Sequence, residues 1–212
     1  VISLTGVGAR FSVLLLDVAE ASQLLALIFA MFISILLGMG MPTTAAYAVA
    51  ASVVAPGLVQ LGIEPLTAHF FVFYFAVVSA ITPPVALASY AAAGISGANA
   101  MATSVASFRI GIAAFIVPFM FFYNSALLMD AGWFDIARAL VTATFGVYLL
   151  SGGVLGWFGK VSAPWITRLL LIGAALLMIE GGIWTDLGGV AMAVLAFVMQ
   201  RQRRARLAPA VS

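Results

Sequence analysis

The sequence predicts an all-α integral membrane protein. Of its 212 residues, 65% are hydrophobic and only 8% are charged, and the mean hydropathy is +1.21, whereas soluble domains have about 25% charged residues. Long apolar runs dominate, and strand-length alternation of apolar and polar residues is absent, so we expect membrane-spanning helices and not barrel strands. The sequence has no cysteine and one histidine, which excludes disulfides and thiolate or histidine-based metal sites.

The first part of the chain, residues 1–22, predicts the end of a preceding span followed by a connecting helix. Asp17 and Glu20 mark an aqueous boundary before the next apolar run. The chain starts at Val1 without an initiator methionine or a signal-like segment. We therefore expect it to be the C-terminal portion of a longer protein.

Two short apolar runs in residues 23–62 predict a re-entrant helical hairpin. The runs Leu24–Leu37 and Ala45–Leu61 hold 14 and 17 residues, whereas a full crossing needs about 20. Between them lies GMGMPTTAAY, residues 38–47. Two short arms joined by such a segment indicate a hairpin whose tip lies near the middle of the membrane.

The tip has the composition of an uncharged, oxygen-rich lining. Gly38 and Gly40 permit unusual backbone angles, Pro42 lacks an N–H donor, and Thr43 and Thr44 add hydroxyl groups. Non-helical backbone at this depth is tolerated only where it is buried in protein or lines a watery cavity. The tip is therefore the candidate functional position of the hairpin.

A discontinuous helix is predicted in the next part, residues 63–129. The aromatic-rich run Leu66–Ile81 is followed by Thr82-Pro83-Pro84 and then by a short apolar segment, Val85–Ala93. Two consecutive prolines cannot lie inside a continuous helix, because each lacks a donor and the second restricts the residue before it. A loop over residues 94–100 and a long span, Thr103–Met129, complete this part.

Residues 130–212 predict a C-terminal extension of about three transmembrane helices with a basic tail. The tail reads RQRRAR, residues 201–206, and by the positive-inside rule it lies in the cytoplasm. This orientation puts both ends of the hairpin on the outer side of the membrane. The predicted helices are Ile136–Phe158, Ala163–Glu180 and Asp186–Met199.

A hairpin tip and a broken helix, adjacent in sequence, are the parts from which secondary transporters build an ion and substrate site. Carbonyl groups at the end of the first half-helix, around Ser79 and Ile81, suit Na⁺, and free N–H groups at the start of the second half-helix suit a carboxylate. A proton relay would need an intramembrane Asp, Glu or His. None is well placed for this, which favours sodium over proton coupling.

Three segments carry a family resemblance: GMGMPTTAAY, then SAITPPVALASYAAAGISG at residues 79–97, then FRIGIAAFIVPFMFFYNSALL at residues 108–128. Together they resemble the large permease subunit, the DctM component, of tripartite ATP-independent periplasmic (TRAP) transporters. The resemblance covers about residues 1–130, and the later spans are similar to the C-terminal extension of fused permeases that work with TAXI-type binding proteins.

The resemblance implies an elevator-type transporter fold, of which this chain holds the second of two inverted repeats. The first repeat has no counterpart here, so the chain alone is not expected to transport. The expected Na⁺ ligands are Gly38, Gly40, Thr43, Ser79 and Thr82. The expected substrate contacts are Thr43, Thr44, Thr82 and Pro83.

The implied function is sodium-coupled uptake of an organic anion, such as a carboxylate, across the bacterial inner membrane. The coupling ion would be Na⁺, and the partners would be a TAXI-type periplasmic solute-binding protein, the missing N-terminal part of the permease, helices like those of the small subunit, and membrane lipid. No nucleic acid is expected as a partner. The protein would be a multi-pass membrane protein with a cytoplasmic C-terminus.

Other interpretations remain open on the residues alone. Re-entrant hairpins also build channel filters, so an ion channel is the first alternative, and a non-transporting structural membrane protein is the second. The tip could be a kinked span with small residues for helix packing, and Thr82-Pro83-Pro84 could be a loop between two spans. An enzyme is disfavoured because no nucleophile and base form a convincing pair, so no catalytic residue or bound cofactor is expected.

Overall fold

The computed structural model describes residues 6–180 and 182–207, and nearly all of them are helical. Two very short strands, Trp157–Phe158 and Val161–Ser162, pair in an antiparallel hairpin. The eleven α-helices of the described residues are α1 (Val7–Ala21), α2 (Gln23–Gly38), α3 (Thr43–Val53), α4 (Ala55–Gln60), α5 (Pro65–Val78), α6 (Leu87–Ser96), α7 (Ala100–Gly111), α8 (Val117–Tyr123), α9 (Trp133–Leu155), α10 (Trp165–Glu180) and α11 (Ile183–Leu207).

Three helical stretches of the described residues are long and apolar enough to cross a membrane: Ala100–Tyr123, Trp133–Leu155 and Ile183–Ala205. The helices of the predicted hairpin and broken helix are apolar but shorter, 16, 11, 14 and 10 residues for α2, α3, α5 and α6. The prediction of an all-α integral membrane protein is confirmed. The depth of the hairpin tip in the membrane stays a prediction.

In the first compact unit, Val1–Gly111, helix α5 packs against both α2 and α3. Its side chains Phe71 and Phe75 are fully buried and form an edge-to-face pair with ring centroids 4.9 Å apart. Glu64 caps the start of α5 by accepting hydrogen bonds from the N–H groups of Leu66 and Thr67, and these bonds, that from Thr67 first, lower the pKa of Glu64. Helix α5 is thus fixed at its start and along its length.

In the second compact unit, Ile112–Ser212, helix α10 packs against both α9 and α11. Glycines make the approach close: a Cβ atom on Gly153 of α9 would lie 3.0 Å from the carbonyl oxygen of Arg168, and one on Gly189 of α11 would lie 2.9 Å from that of Ala174. Small residues at contacts of this kind let membrane helices approach each other. The guanidinium of Arg168 also donates to the Gly153 and Val154 carbonyls, at 2.8 Å each, and so caps the end of α9.

The predicted long span Thr103–Met129 is corrected by the structure. Its winding tightens into 3₁₀ turns at Ile112–Phe115 and Ser125–Leu128. Pro118 lies in the first turn of α8, and because proline has no N–H, the ordinary helical bonds are interrupted just before it. The span ends at Tyr123, where Asn124 becomes extended and its side chain accepts a hydrogen bond from the Ala126 N–H.

Other predicted boundaries also shift. The loop predicted over residues 94–100 is shorter, because α6 continues to Ser96 and stops only at Gly97, whose φ of +70° is the left-handed conformation that ends many helices. The second arm of the hairpin is divided at Val54, two residues before Pro56, into α3 and α4. The last helix does not end at Met199 but continues through the basic residues.

Candidate functional site

The hairpin tip is a non-helical turn between α2 and α3. Helix α2 ends at Gly38, and α3 begins at Thr43. Within the turn, Gly40 has a φ of +76°, a conformation that glycine adopts without the steric penalty of a side chain. The turn is closed weakly, by a 3.4 Å hydrogen bond from the Met41 N–H to the Gly38 carbonyl.

The second interruption separates α5 from α6. Helix α5 ends at Val78, a 3₁₀ turn covers Ser79–Ile81, and no helix forms again before Leu87. Pro83 and Pro84 lie in this segment and are joined by a cis peptide bond. Thr82, just before them, is extended, with φ −99° and ψ 123°. The chain therefore stops winding at the residues where the paired prolines predicted a break.

The hydroxyl groups of the break are buried and have already donated their protons. Ser79 Oγ donates to the Ala76 carbonyl at 2.6 Å, and Thr82 Oγ1 donates to the Val78 carbonyl at 2.8 Å. Ser79 is 2% exposed and Thr82 is 9% exposed. A hydroxyl oxygen has two lone pairs in addition to its proton. Both oxygens can therefore act as acceptors, as cation binding requires.

The tip and the break are in direct contact. A Cβ atom on Gly38 would lie 2.6 Å from Ser79 Oγ and 3.2 Å from the Ala76 carbonyl oxygen, and one on Gly40 would lie 3.6 Å from a methyl group of Val85. Contacts under 3.0 Å require a shift of one partner, so no residue larger than glycine fits at Gly38 unless the tip or the Ser79 side chain shifts. The sequence predicted both interruptions, and the structure brings them together.

Two helices begin at this place without side-chain caps. The residues before α3 and α6 are Pro42 and Ala86, and neither provides a side-chain hydrogen bond to the first helical turn. The first N–H groups of a helix have no partner within it and carry partial positive charge. Such helix starts bind anions. Because α3 follows the tip and α6 follows the break, these N–H donors lie near the acceptor oxygens of the break.

The remaining predicted residues lie at the edge of this arrangement. Thr43 and Thr44, in the first turn of α3, are exposed, and Pro83 is half-buried. The structure gives neither threonine hydroxyl a hydrogen-bond partner within the described part of the chain. The buried oxygens are thus those of Ser79 and Thr82, while the threonines of the tip are accessible.

Two buried serines near the site escaped the sequence analysis. Ser34 is 0% exposed and Ser89 is 2% exposed, and among the described residues neither Oγ atom has a hydrogen-bond partner. Ser34 lies four residues before Gly38, hence on the same face of α2, and Ser89 lies in the first turn of α6. The sequence signal that could have identified these serines is their short distance along the chain from the hairpin tip and from the helix break.

The site region contains no carboxylate cluster. In residues 6–180 and 182–207, no group of three or more His, Cys, Asp or Glu side chains could hold a metal ion. His69 is bound to Tyr47, with 2.9 Å between its Nδ1 and the phenol oxygen. The ligands that the tip and break offer are therefore neutral oxygens and backbone N–H groups.

The sequence was compared with protein families, curated proteins and solved structures. The family model described as "Tripartite ATP-independent periplasmic transporter, DctM component" matches residues 1–134. The comparison with curated proteins gave no match, and neither did the comparison with solved structures. Because the family match includes both interruptions and more than half of the chain, this protein belongs to the DctM family, the membrane permeases of tripartite ATP-independent periplasmic transporters.

Proposed function

We propose that the contact between the hairpin tip and the helix break forms one half of a site at which Na⁺ and an organic anion, such as a carboxylate, are bound and transported together. The observation that carries this proposal is the fit of Gly38 against Ser79, which brings two interrupted segments within van der Waals distance. Interrupted helices that meet in this way are the usual sites of ions and substrates in secondary transporters.

Neutral oxygens form the cation side of the proposed site. Na⁺ is a hard cation, and hard cations in proteins are bound by oxygen ligands. The lone pairs of Ser79 Oγ and Thr82 Oγ1 and the carbonyl groups near the end of α5 provide such ligands, and the negative end of the helix dipole adds to the attraction. Gly38 and Gly40 supply the backbone of the facing tip.

Uncapped helix starts form the anion side. The first turns of α3 and α6 present N–H groups without a partner in the helix, apart from that of Leu87, which donates to the Val85 carbonyl at 3.1 Å, and such groups favour a carboxylate. Thr43 and Thr44 are exposed at the start of α3 and can donate their hydroxyl protons, whereas those of Ser79 and Thr82 are already engaged. Thr43, Thr44, Thr82 and Pro83 are therefore the proposed substrate contacts, and the Thr43 oxygen is also a proposed Na⁺ ligand.

The family implies a periplasmic binding protein and a small membrane subunit as partners. We further infer a binding protein of the TAXI type, a location in the inner membrane and a cytoplasmic C-terminus. These inferences are supported by the helices that follow the family match, α10 and α11, and by the basic residues at the end of α11.

Sodium dependence tests the site. In the full-length permease with its partners, Thr82→Ala and Thr43→Ala should each raise the Na⁺ concentration for half-maximal uptake by about tenfold or more, since a hydrogen-bonding group that serves a charge contributes about 1.5–3 kcal/mol. Uptake into proteoliposomes, measured over a range of Na⁺ concentrations, gives this value. Thr144→Ala is a matched control, because Thr144 also donates to a carbonyl four residues earlier, that of Leu140.

Wild-type sodium dependence in both variants would remove these residues from the site. Flux that does not saturate with substrate in the wild-type permease would instead favour the channel alternative.

Ser89 provides a second test, in which the stability of the permease and its uptake are expected to change in opposite directions. A buried hydroxyl without a partner destabilises a protein by about 1–3 kcal/mol, so Ser89→Ala should raise the thermal midpoint of the ligand-free permease. If Ser89 Oγ binds cation or substrate, the same variant should reduce uptake severalfold and abolish part of the stabilisation by Na⁺. Ser96→Ala, at the far end of α6, serves as the control. Higher stability with unchanged uptake would assign Ser89 no part in binding.

A further inference from the structure

The second unit contains a small hairpin that a glutamine joins to the last helix. Strands Trp157–Phe158 and Val161–Ser162 are connected by Gly159 and Lys160, whose φ values of +59° and +69° are both left-handed, as in tight two-residue hairpin turns. Gln200 of α11 is 2% exposed, and its Nε2 lies 2.9–3.3 Å from the carbonyl oxygens of Phe158, Val161 and Ser162. The hairpin is therefore held firmly against α11.

A cavity of about 170 Å³ lies between this turn and α11, lined by Gly159, Phe197, Gln200, Arg201 and Arg204. The four α11 residues have the spacing of one helix face. The cavity is smaller than the roughly 300–1,000 Å³ of sites for drug-sized molecules. It is therefore suited to a small polar group and not to an entire organic substrate.

The cavity carries positive charge without an internal counter-ion. Arg201 and Arg204 are exposed, and the structure shows no carboxylate paired with either within its described residues. Arg168, by contrast, is occupied with the carbonyls at the end of α9. Guanidinium groups bind phosphate oxygens through two parallel hydrogen bonds, so a phosphate group is the ligand that best matches the two free arginines.

Apolar and aromatic residues place the cavity at the boundary of the membrane. Phe197, on one wall, is 54% exposed, and the nearby Trp157 and Trp165 are 61% and 70% exposed. Tryptophan is enriched at membrane–water interfaces. Helix α11 changes from apolar to basic at Gln200, so we expect the arginines at the level of the lipid headgroups and Phe197 toward the acyl chains.

We propose that this cavity binds the phosphate of an anionic phospholipid, with Arg201 and Arg204 on the phosphate and Phe197 against the acyl chains. A free phosphate ion matches the arginines equally well but not the exposed apolar wall, which favours the lipid. Basic pockets at the cytoplasmic side of membrane helices are known to hold lipid headgroups. The proposal concerns only the second unit and does not depend on the proposed transport site.

Native mass spectrometry of the detergent-purified permease tests the proposal. Phosphatidylglycerol should bind more tightly than phosphatidylcholine, and Arg201→Gln combined with Arg204→Gln should weaken phosphatidylglycerol binding about 30-fold, from about 1 kcal/mol per basic residue near an anionic headgroup. Arg203→Gln is the matched control for each single variant, since it also removes one positive charge but is not among the residues that line the cavity. Each single variant, Arg201→Gln or Arg204→Gln, should have an effect of about fivefold, which keeps the test available if the double variant does not fold.

Three results would overturn the proposal. Equal weakening by Arg203→Gln would mean that the tail attracts lipid only by its net charge. Equal binding of the two lipids by the wild-type permease would exclude recognition of an anionic headgroup. Displacement of phosphatidylglycerol by millimolar inorganic phosphate would identify a free phosphate site instead.

Discussion

Replacing Gly38 with alanine is expected to reduce the proposed sodium-coupled uptake about tenfold or more while the permease still inserts into the membrane. The new methyl group would lie 2.6 Å from Ser79 Oγ, 3.1 Å from its Cβ and 3.2 Å from the Ala76 carbonyl oxygen. Overpacking of this kind destabilises the folded protein by about 1–3 kcal/mol. Alanine is otherwise more favourable than glycine in a helix. Either the tip or the Ser79 side chain must therefore shift, and both changes disturb the contact between the tip and the break. Uptake, membrane expression and thermal stability should be measured together.

A second substitution separates packing from ligand binding. Combining Gly38→Ala with Ser79→Gly removes the hydroxyl and the Cβ that the new methyl group meets, so the thermal midpoint should recover toward the wild-type value. The Na⁺ response should stay low, because the Ser79 oxygen is gone. Gly94→Ala is the control, since a Cβ there meets nothing within 4 Å. Normal uptake in Gly38→Ala would contradict the close fit of tip and break.

Replacing Gly189 with alanine is expected to destabilise the C-terminal helices. The added Cβ would lie 2.5 Å from Met178 Cγ and 2.9 Å from the Ala174 carbonyl oxygen, and backbone cannot move aside as a side-chain end can. Helices α10 and α11 must then separate, which should lower the free energy of unfolding by about 1–3 kcal/mol. The thermal midpoint of the purified permease should fall by roughly 2–12 °C, since 1 kcal/mol shifts the midpoint by about 2–4 °C for domains of this size.

The neighbouring glycine gives a matched control for this experiment. A Cβ on Gly188 would lie 3.6 Å from Leu177 Cδ1, an ordinary contact. Gly188→Ala should therefore leave the midpoint unchanged or raise it, because alanine favours the helix by up to about 1 kcal/mol. Equal changes in the two variants would show that the approach of α10 and α11 does not depend on Gly189.

The two interruptions were predictable because their causes are local. Pro83 and Pro84 lack donors, and Gly40 adopts an angle that other residues avoid, so the sequence alone indicates where winding stops. Their contact was not predictable from these local rules. The fit of Gly38 against Ser79 depends on how α2 and α5 pack, and the burial of Ser89 depends on how α6 packs against α7 and the turn at Ser79–Ile81.

Some of the C-terminal structure also escaped prediction, for different reasons. The hairpin at residues 157–162 has only two residues in each strand, too few for an alternating pattern, and Gly159-Lys160 is a weak turn signal because lysine rarely adopts a positive φ. The 3₁₀ turn before Pro118 was hidden by a continuous apolar run, since hydropathy does not distinguish one helical winding from another.

The hydrogen bonds that the Ser79 and Thr82 hydroxyl groups donate have a consequence for ion selectivity. Ser79 and Thr82 each donate a hydroxyl proton to a carbonyl of α5, and because a serine or threonine hydroxyl does not ionise near neutral pH, their oxygens stay neutral whether the surrounding solution is mildly acidic or alkaline. In the proposed Na⁺ site, such oxygens would select a cation by its radius and by the ease with which it sheds water, and no titrating carboxylate would take part.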